Sequence, residues 1–204
     1  MINTIEPNTV YPNKKSIAIF ASGTGSNAAN IIEYFKNHPT IGVSLIISNR
    51  ADAGVIKVAD VNNLPVILID KETFFRGNAY AGELLNAGIS YIVLAGFLWK
   101  IPQKLIDNYQ NKIINIHPAM LPKYGGKGMY GSKVHEAVIA SGEKESGITI
   151  HFVDEHYDNG SFIFQSTCPV LDNDTPHSLS QRIHQLEYEH FPKVIERVIE
   201  SDHH

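Results

Sequence analysis

The stretch Ile17-Ala18-Ile19-Phe20-Ala21-Ser22-Gly23-Thr24-Gly25-Ser26-Asn27-Ala28 decides the fold. Its first five residues form a continuous apolar run, as a strand buried on both faces requires; a glycine turn and a segment of helical length follow at once. Strand, glycine turn and helix in that order open a parallel, doubly wound sheet. Runs of the same kind recur at Val43-Ser44-Leu45-Ile46-Ile47, Val66-Ile67-Leu68-Ile69, Tyr91-Ile92-Val93-Leu94 and Ile113-Ile114-Asn115-Ile116. Between them lie segments of helical length such as Asn27 to Phe35 and Ala53 to Asn62. Two later runs, Ile148 to Val153 and Phe162 to Cys168, are joined by too little chain for a helical crossover and should pair antiparallel. The expected architecture is therefore α/β: a doubly wound, mostly parallel, seven-stranded Rossmann-like sheet with a C-terminal antiparallel strand pair. Thr175 is placed to cap a last helix with Pro176 at its first position, and Pro192 is expected to break or kink it.

Composition bounds what such a domain does. With 204 residues, 43% hydrophobic and 19% charged, the chain reads as one globular domain over 15–204 behind a polar, flexible lead-in over 1–14. A formal net charge of −4 and no long basic run exclude a nucleic-acid binder that relies on phosphate attraction. No segment approaches the roughly 20 apolar residues of a membrane helix. One cysteine, Cys168, excludes an intramolecular disulfide and points to a reducing, cytoplasmic compartment.

In a doubly wound sheet, ligands sit outside the carboxyl ends of the strands. That rule selects Ser22 to Asn27, Gly96 to Ile101 and the chain from His117 onward. The first loop, Ser22-Gly23-Thr24-Gly25-Ser26-Asn27, presents backbone amides at a helix start, where an anion, most naturally a phosphate, is attracted. The same spacing satisfies the dinucleotide pattern with Ala28 last, although Ser48-Asn49-Arg50 stands where that pattern wants an acidic residue. A turn that merely packs strand on helix is the plainer reading.

Asn115-Ile116-His117-Pro118 straddles the end of a strand, where period-two alternation puts Asn115 and His117 on one side and Ile116 on the other. An amide there can stabilise an oxyanion and an imidazole can move a proton. A lone histidine before proline is more often a capped core residue. Here Asp154-Glu155-His156-Tyr157-Asp158-Asn159-Gly160 connects two strands of the same sheet. Asp158 either serves only as turn chemistry or faces His117 and favours its charged form.

These residues resemble the formyltransferase superfamily and, within it, the folate-dependent phosphoribosylglycinamide formyltransferases of purine synthesis. Four motifs carry the resemblance: Gly23-Thr24-Gly25-Ser26-Asn27, Leu94-Ala95-Gly96-Phe97, Asn115-Ile116-His117-Pro118 with Leu121-Pro122, and His151-Phe152-Val153 running to Asp158-Asn159-Gly160. The resemblance implies the formyltransferase fold and formyl transfer from 10-formyltetrahydrofolate to the amine of glycinamide ribonucleotide, without a metal. It implies Asn115, His117 and Asp158 as the catalytic trio. Gly25, Ser26 and Asn27 would hold the substrate phosphate and Glu187 its ribose. Leu98, Trp99, Lys100, Ile101, Asn115 and Val153 would line the folate pocket. Partners would be small molecules, and the protein a monomer or homodimer.

Some residues depart from that family's pattern: the glycine-rich Gly125 to Gly131, Trp99-Lys100 in the folate loop, and His184 where glutamine is common. The glycine run in particular is expected to be mobile without ligand. Two alternatives remain open: another formyltransferase-superfamily enzyme acting on a phosphorylated amine, and, from a different class, a Rossmann-type nucleotide-binding protein using the same glycine loop. Ten histidines alone suggest a zinc hydrolase, but without a compact ligand motif they read as scattered surface and core residues.

Overall fold

A computed structural model describes residues 14–202, so nearly all of the lead-in expected over 1–14 lies outside the described residues. In chain order the elements are β1 (Lys15–Phe20), α1 (Ser26–Phe35), β2 (Ile41–Ser48), α2 (Gly54–Val61), β3 (Val66–Leu68), α3 (Lys71–Arg76) and α4 (Ala81–Asn86). Then come β4 (Ile89–Leu94), α5 (Gln103–Asn108), β5 (Ile113–His117), α6 (Ser132–Ala140), β6 (Glu145–Phe152), β7 (Phe162–Pro169) and α7 (Pro176–Ser201). The strands form one seven-stranded sheet in the order β3-β2-β1-β4-β5-β6-β7. The first five pair in parallel, and β6 and β7 pair antiparallel as their short connection predicts. β6 also joins β5 antiparallel although α6 lies between them in the chain, a pairing that the connection length did not foretell.

The apolar run of β1 shows why the sheet is covered on both faces. Ile17 and Ile19 pack with Ile31 of α1, Val55 of α2, Val138 of α6 and Ile195 of α7. Ala18 and Phe20 point the other way, to Phe74 of α3, Leu84 of α4 and Leu105 of α5. A side-chain period of two thus feeds two cores from one strand. β1 lies inside the sheet, between β2 and the central strand β4, where the strand order reverses. The carboxyl ends of β1 and β4 open a crevice at that point.

The last helix corrects one expectation. Thr175 caps it, its side chain accepting from the Ser178 N–H within a reciprocal capping box, and Pro176 opens it. Pro192 does not break it: α7 runs from Pro176 to Ser201 with Pro192 buried inside. A proline removes the N–H that would have bonded the carbonyl four residues earlier, that of Tyr188. Here Asn30 of α1 fills the gap, its Nδ2 donating to the Tyr188 carbonyl oxygen at 3.0 Å. A neighbouring helix supplies the donor that the proline lacks.

Candidate active site

A cavity of about 830 Å³ opens at the crevice, and each site residue expected from the sequence lines it. Its floor is the first loop. Gly25 is the left-handed residue (φ 82°) before α1, and a Cβ there would come within 2.7 Å of Val55 Cα. The glycine is thus required by the packing of α1 on α2 as well as by any ligand. The loop is tied to its neighbours through Ser22, whose buried hydroxyl donates to Asn49 Oδ1 (2.7 Å) and accepts from the Leu98 N–H (3.0 Å). Asn27 Nδ2 donates one of its two N–H groups to Glu187 Oε2 (2.8 Å), which ties the loop to α7.

Asn115 and His117 both line the cavity while Ile116 joins the core, as strand alternation requires. The antiparallel register sets His151 of β6 directly opposite Asn115. Asn115 Nδ2 lies 3.1 Å from His151 Nε2, and His151 Nδ1 lies 2.8 Å from the Phe152 carbonyl oxygen. Since a carbonyl only accepts, His151 Nδ1 carries a proton, and its Nε2 lies between Asn115 Nδ2 and Asp158 Oδ1. One Asn115 N–H is left for the cavity.

His117 is 4% exposed, and its Nε2–H donates to the Tyr124 carbonyl oxygen (2.8 Å). Its Nδ1 faces Asp158 Oδ2 at 3.6 Å, while Asp158 Oδ1 lies 3.7 Å from His151 Nε2. Asp158 also accepts from the Gly126 N–H (2.8 Å), which ties the glycine-rich segment to the pair. The loop carrying Asp158 is held by close packing: a Cβ at Gly160 would collide with the Phe152 carbonyl oxygen, and one at Gly125 would fall 3.3 Å from Asp158 Cβ. Asp158 therefore does face His117.

The electrostatic consequence is only half as expected. Burial pushes the His117 imidazole below its ordinary range; the Asp158 charge and the Tyr124 carbonyl pull it upward without prevailing. Burial also opposes ionisation of Asp158, yet His151, His117 and the Gly126 amide together hold this carboxyl below the usual range. Both shifts run the same way: Asp158 ionises more readily than a free carboxyl, and His117 gives up its proton more readily than a free imidazole.

The opposite wall carries Leu98, Trp99, Lys100, Ile101 and Val153. Trp99 is part of an aromatic cluster with Phe74, Phe75 and Phe97, at centroid distances of 5.4 to 6.3 Å. Lys100 extends its ammonium over the Tyr157 ring, 5.8 Å from the centroid. Flat apolar surface with a cation at its edge suits a heteroaromatic ligand.

At the far end, Glu187 is buried and gathers Asn27 and His184, whose Nδ1 lies 2.7 Å from Glu187 Oε2. That hydrogen bond raises the His184 pKa. Sequence reasoning gave no role to His135, which is buried in this wall, nor to His151. The available signals were spacing: His135 sits between Val134 and Val138 on the buried stripe of α6, and His151 alternates into the site along β6.

Away from the cavity, His38, Glu196 and Glu200 bring potential ligand atoms within 4.8 Å of one another. His38 Nδ1 accepts from the Ile41 N–H (3.1 Å), which leaves its proton on Nε2, 2.8 Å from Glu196 Oε1. This is a hydrogen-bonded clamp between the end of α1 and α7, with no nitrogen lone pair to offer a metal.

A Rossmann-like sheet with Asn115, His117 and Asp158 gathered beside an amide-rich loop defines the class: an α/β protein with its ligand crevice at the carboxyl ends of the strands. The chain belongs to the formyl transferase family, whose pattern matches residues 15–195. It is 41% identical over 193 residues to the chloroplastic phosphoribosylglycinamide formyltransferase of Vigna unguiculata, covering 92% of this chain and 62% of that protein. The corresponding Arabidopsis thaliana protein is 37% identical, with 98% and 71% covered. Among solved structures, phosphoribosylglycinamide formyltransferase from Bacillus halodurans aligns with a TM-score of 0.82 at 32% identity, over 91% of this chain and 95% of that one.

Proposed function

We propose that the chain transfers the formyl group of 10-formyltetrahydrofolate to the amine of glycinamide ribonucleotide. The observation that carries this reading is the convergence of Asn115, His117 and Asp158 in one cavity with the loop Gly25 to Asn27 and the aromatic-backed wall Leu98 to Ile101. The sequence relatives named for this activity support it.

The amine attacks the formyl carbon, its oxygen becomes an oxyanion, and the carbon–nitrogen bond to folate breaks. One proton must pass from the attacking nitrogen to the departing one. Asn115 offers its remaining N–H to the oxyanion at any pH. The neutral imidazole of His117 takes up the proton, and the Asp158 carboxylate 3.6 Å away stabilises the imidazolium that results. His117 Nε2–H, held by the Tyr124 carbonyl at rest, is a second donor for the oxyanion once that carbonyl gives way. The backbone amides of Gly25, Ser26 and Asn27 at the start of α1, with the Ser26 hydroxyl and the second Asn27 amide hydrogen, hold the phosphate. Leu98, Trp99, Lys100, Ile101 and Val153 receive the pterin side of the folate. No protein nucleophile or metal ligand set is required, and the glycine-rich segment 125–131 acts as a lid that excludes water when both substrates are bound.

Residues 15–204 act as one domain, and since one chain supplies every residue named, a monomer or a homodimer serves equally. A reducing, cytoplasmic setting suits the single buried thiol of Cys168. Among the described residues no helix is long and apolar enough to cross a membrane. The test is direct: incubate the protein with both substrates and follow deformylation of the folate. Transfer that survives exhaustive chelation is expected; transfer that depends on added metal, or none at all, refutes the reading.

A further inference from the structure

His135 is a buried imidazole without a partner. It is 4% exposed, its Nδ1 is sealed from solvent, and no hydrogen bond is made by that atom. Its Nε2, also without a hydrogen bond, is the nitrogen left to reach the cavity that the residue lines. A buried polar group is normally satisfied, and an exception calls for a reason. Five side-chain atoms among the described residues are buried without partners, and three are serine hydroxyls on the strands. The other two, His135 Nδ1 and Asn27 Oδ1, belong to residues of this one end of the cavity.

The neighbourhood says what kind of ligand would engage the His135 ring at Nε2. Glu187 directs Oε2 to Asn27 and His184, which leaves Oε1 to the cavity. A phosphate would meet like-charge repulsion at that carboxylate, whereas a neutral hydroxyl can donate to it. We infer that His135 is a substrate-binding residue that, together with Glu187, takes the vicinal hydroxyls of a ribose: Glu187 Oε1 accepts from one, and the imidazole Nε2 bonds to the other. A hydroxyl both donates and accepts, so either tautomer of a neutral imidazole matches it. Burial favours that neutral form, as does the nearby His184, while Glu187 opposes them; His117 and Glu136 add smaller effects of opposite sign. Hydroxyl recognition by an imidazole and a carboxylate also gives the site a reason to reject deoxy analogues.

This deepens the reading above and rests on it. The experiment compares wild type, His135→Leu and His135→Gln, with glycinamide ribonucleotide and its 2′,3′-dideoxy analogue, measuring both Michaelis constants, turnover and melting temperature. His135→Leu should raise the Michaelis constant for the ribonucleotide roughly five- to hundredfold, the range for leaving a hydroxyl unpaired. The folate constant should hold within about twofold, and so should the constant for the dideoxy analogue. His135→Gln, which keeps a hydrogen-bonding head, should recover part of the loss. The melting temperature of His135→Leu should hold or rise, because an orphaned polar group is replaced by an apolar one. Equal losses for both nucleotides, or a fall in melting temperature with the ribonucleotide constant unmoved, overturn the assignment. Absence of formyl transfer by the wild type would instead overturn the functional reading on which it stands.

Discussion

Replacing Asp158 by asparagine removes one charge and little else. The amide keeps an oxygen able to accept the Gly126 N–H, now made to Oδ2 at 2.8 Å, so the loop should stay closed. What disappears is the attraction between the carboxylate and an imidazolium whose Nδ1 lies 3.6 Å from it. Coulomb's law at that separation gives about 1 kcal/mol at the dielectric of water and about 5 kcal/mol at the effective value of 20 suited to protein sites. The site, with Asp158 13% exposed at the side chain and His117 5%, lies between these limits. At about 1.4 kcal/mol per factor of ten, turnover should fall roughly 10- to 10³-fold, with both Michaelis constants little changed. The sign of the pH effect follows. Burial already depresses His117 and Asp158 pulls it back up, so removing Asp158 depresses it further. The limb of the rate profile on which His117 loses activity by becoming protonated therefore moves to lower pH. Turnover measured from pH 5 to 9 with a thermal melt alongside decides the matter. Wild-type turnover with an unmoved profile would reduce Asp158 to a turn former, and a large drop in melting temperature would show that the loop, not the charge, had been lost.

Three further outcomes follow from the packing. Gly25→Ala forces an L side chain into φ 82° and against Val55 Cα at 2.7 Å. The left-handed backbone costs about 1–2 kcal/mol and overpacking a further 1–3 or so; a lower melting temperature is expected, and adding Val55→Ala should not restore it because the Cα remains. Asn30→Ala frees the Tyr188 carbonyl beside Pro192 and should cost about 1 kcal/mol in a urea titration while leaving kinetics untouched. His117 and His135 are both depressed below the ordinary histidine value of 6.5, so the unfolded chain binds more protons than the folded one near that pH. The stability they contribute is complete above pH 6.5 or so and is lost as the pH falls through their folded values. His135→Leu should shrink the difference in urea midpoint between pH 7 and 5.

The fold was legible because strands buried on both faces announce themselves. Ile17 to Ala21 and its four counterparts are apolar without alternation, and the spacing between them separates crossover from hairpin. The polar site was legible where it lies on strand ends, since alternation alone puts Asn115 and His117 together. Legibility ended where partners come from distant elements. Nothing near Pro192 says that Asn30, far back in the chain, will supply a donor to Tyr188. Likewise, nothing local to Asn27 says that Glu187 will claim its amide, and the balance between burial and Asp158 at His117 depends on how deep the ring sits. His135 was hidden because a histidine between two core valines reads as packing until its lack of a hydrogen-bond partner is seen in three dimensions.

The backbone around His117 explains how two loops hold one ring. Six non-glycine residues among those described have positive φ, and two of them, Tyr124 (57°) and Asp158 (53°), are the ones that contact His117. Left-handed backbone costs a non-glycine residue of order 1 kcal/mol or more and persists only where surrounding structure over-determines it. At Asp158 the determinants are visible: the Gly126 amide on its carboxylate, and Gly125 and Gly160 accommodating its loop where any Cβ would collide. At Tyr124 the side-chain hydroxyl, 3.0 Å from Glu143 Oε1, anchors the ring outside the cavity while its carbonyl turns inward to His117. The imidazole is thus held at Nε2 by the Tyr124 carbonyl and faced at Nδ1 by the Asp158 carboxylate, and both groups have positions set elsewhere. Under the proposed transfer, a base that exchanges a proton with two substrates in succession needs that fixed orientation more than it needs an unstrained loop.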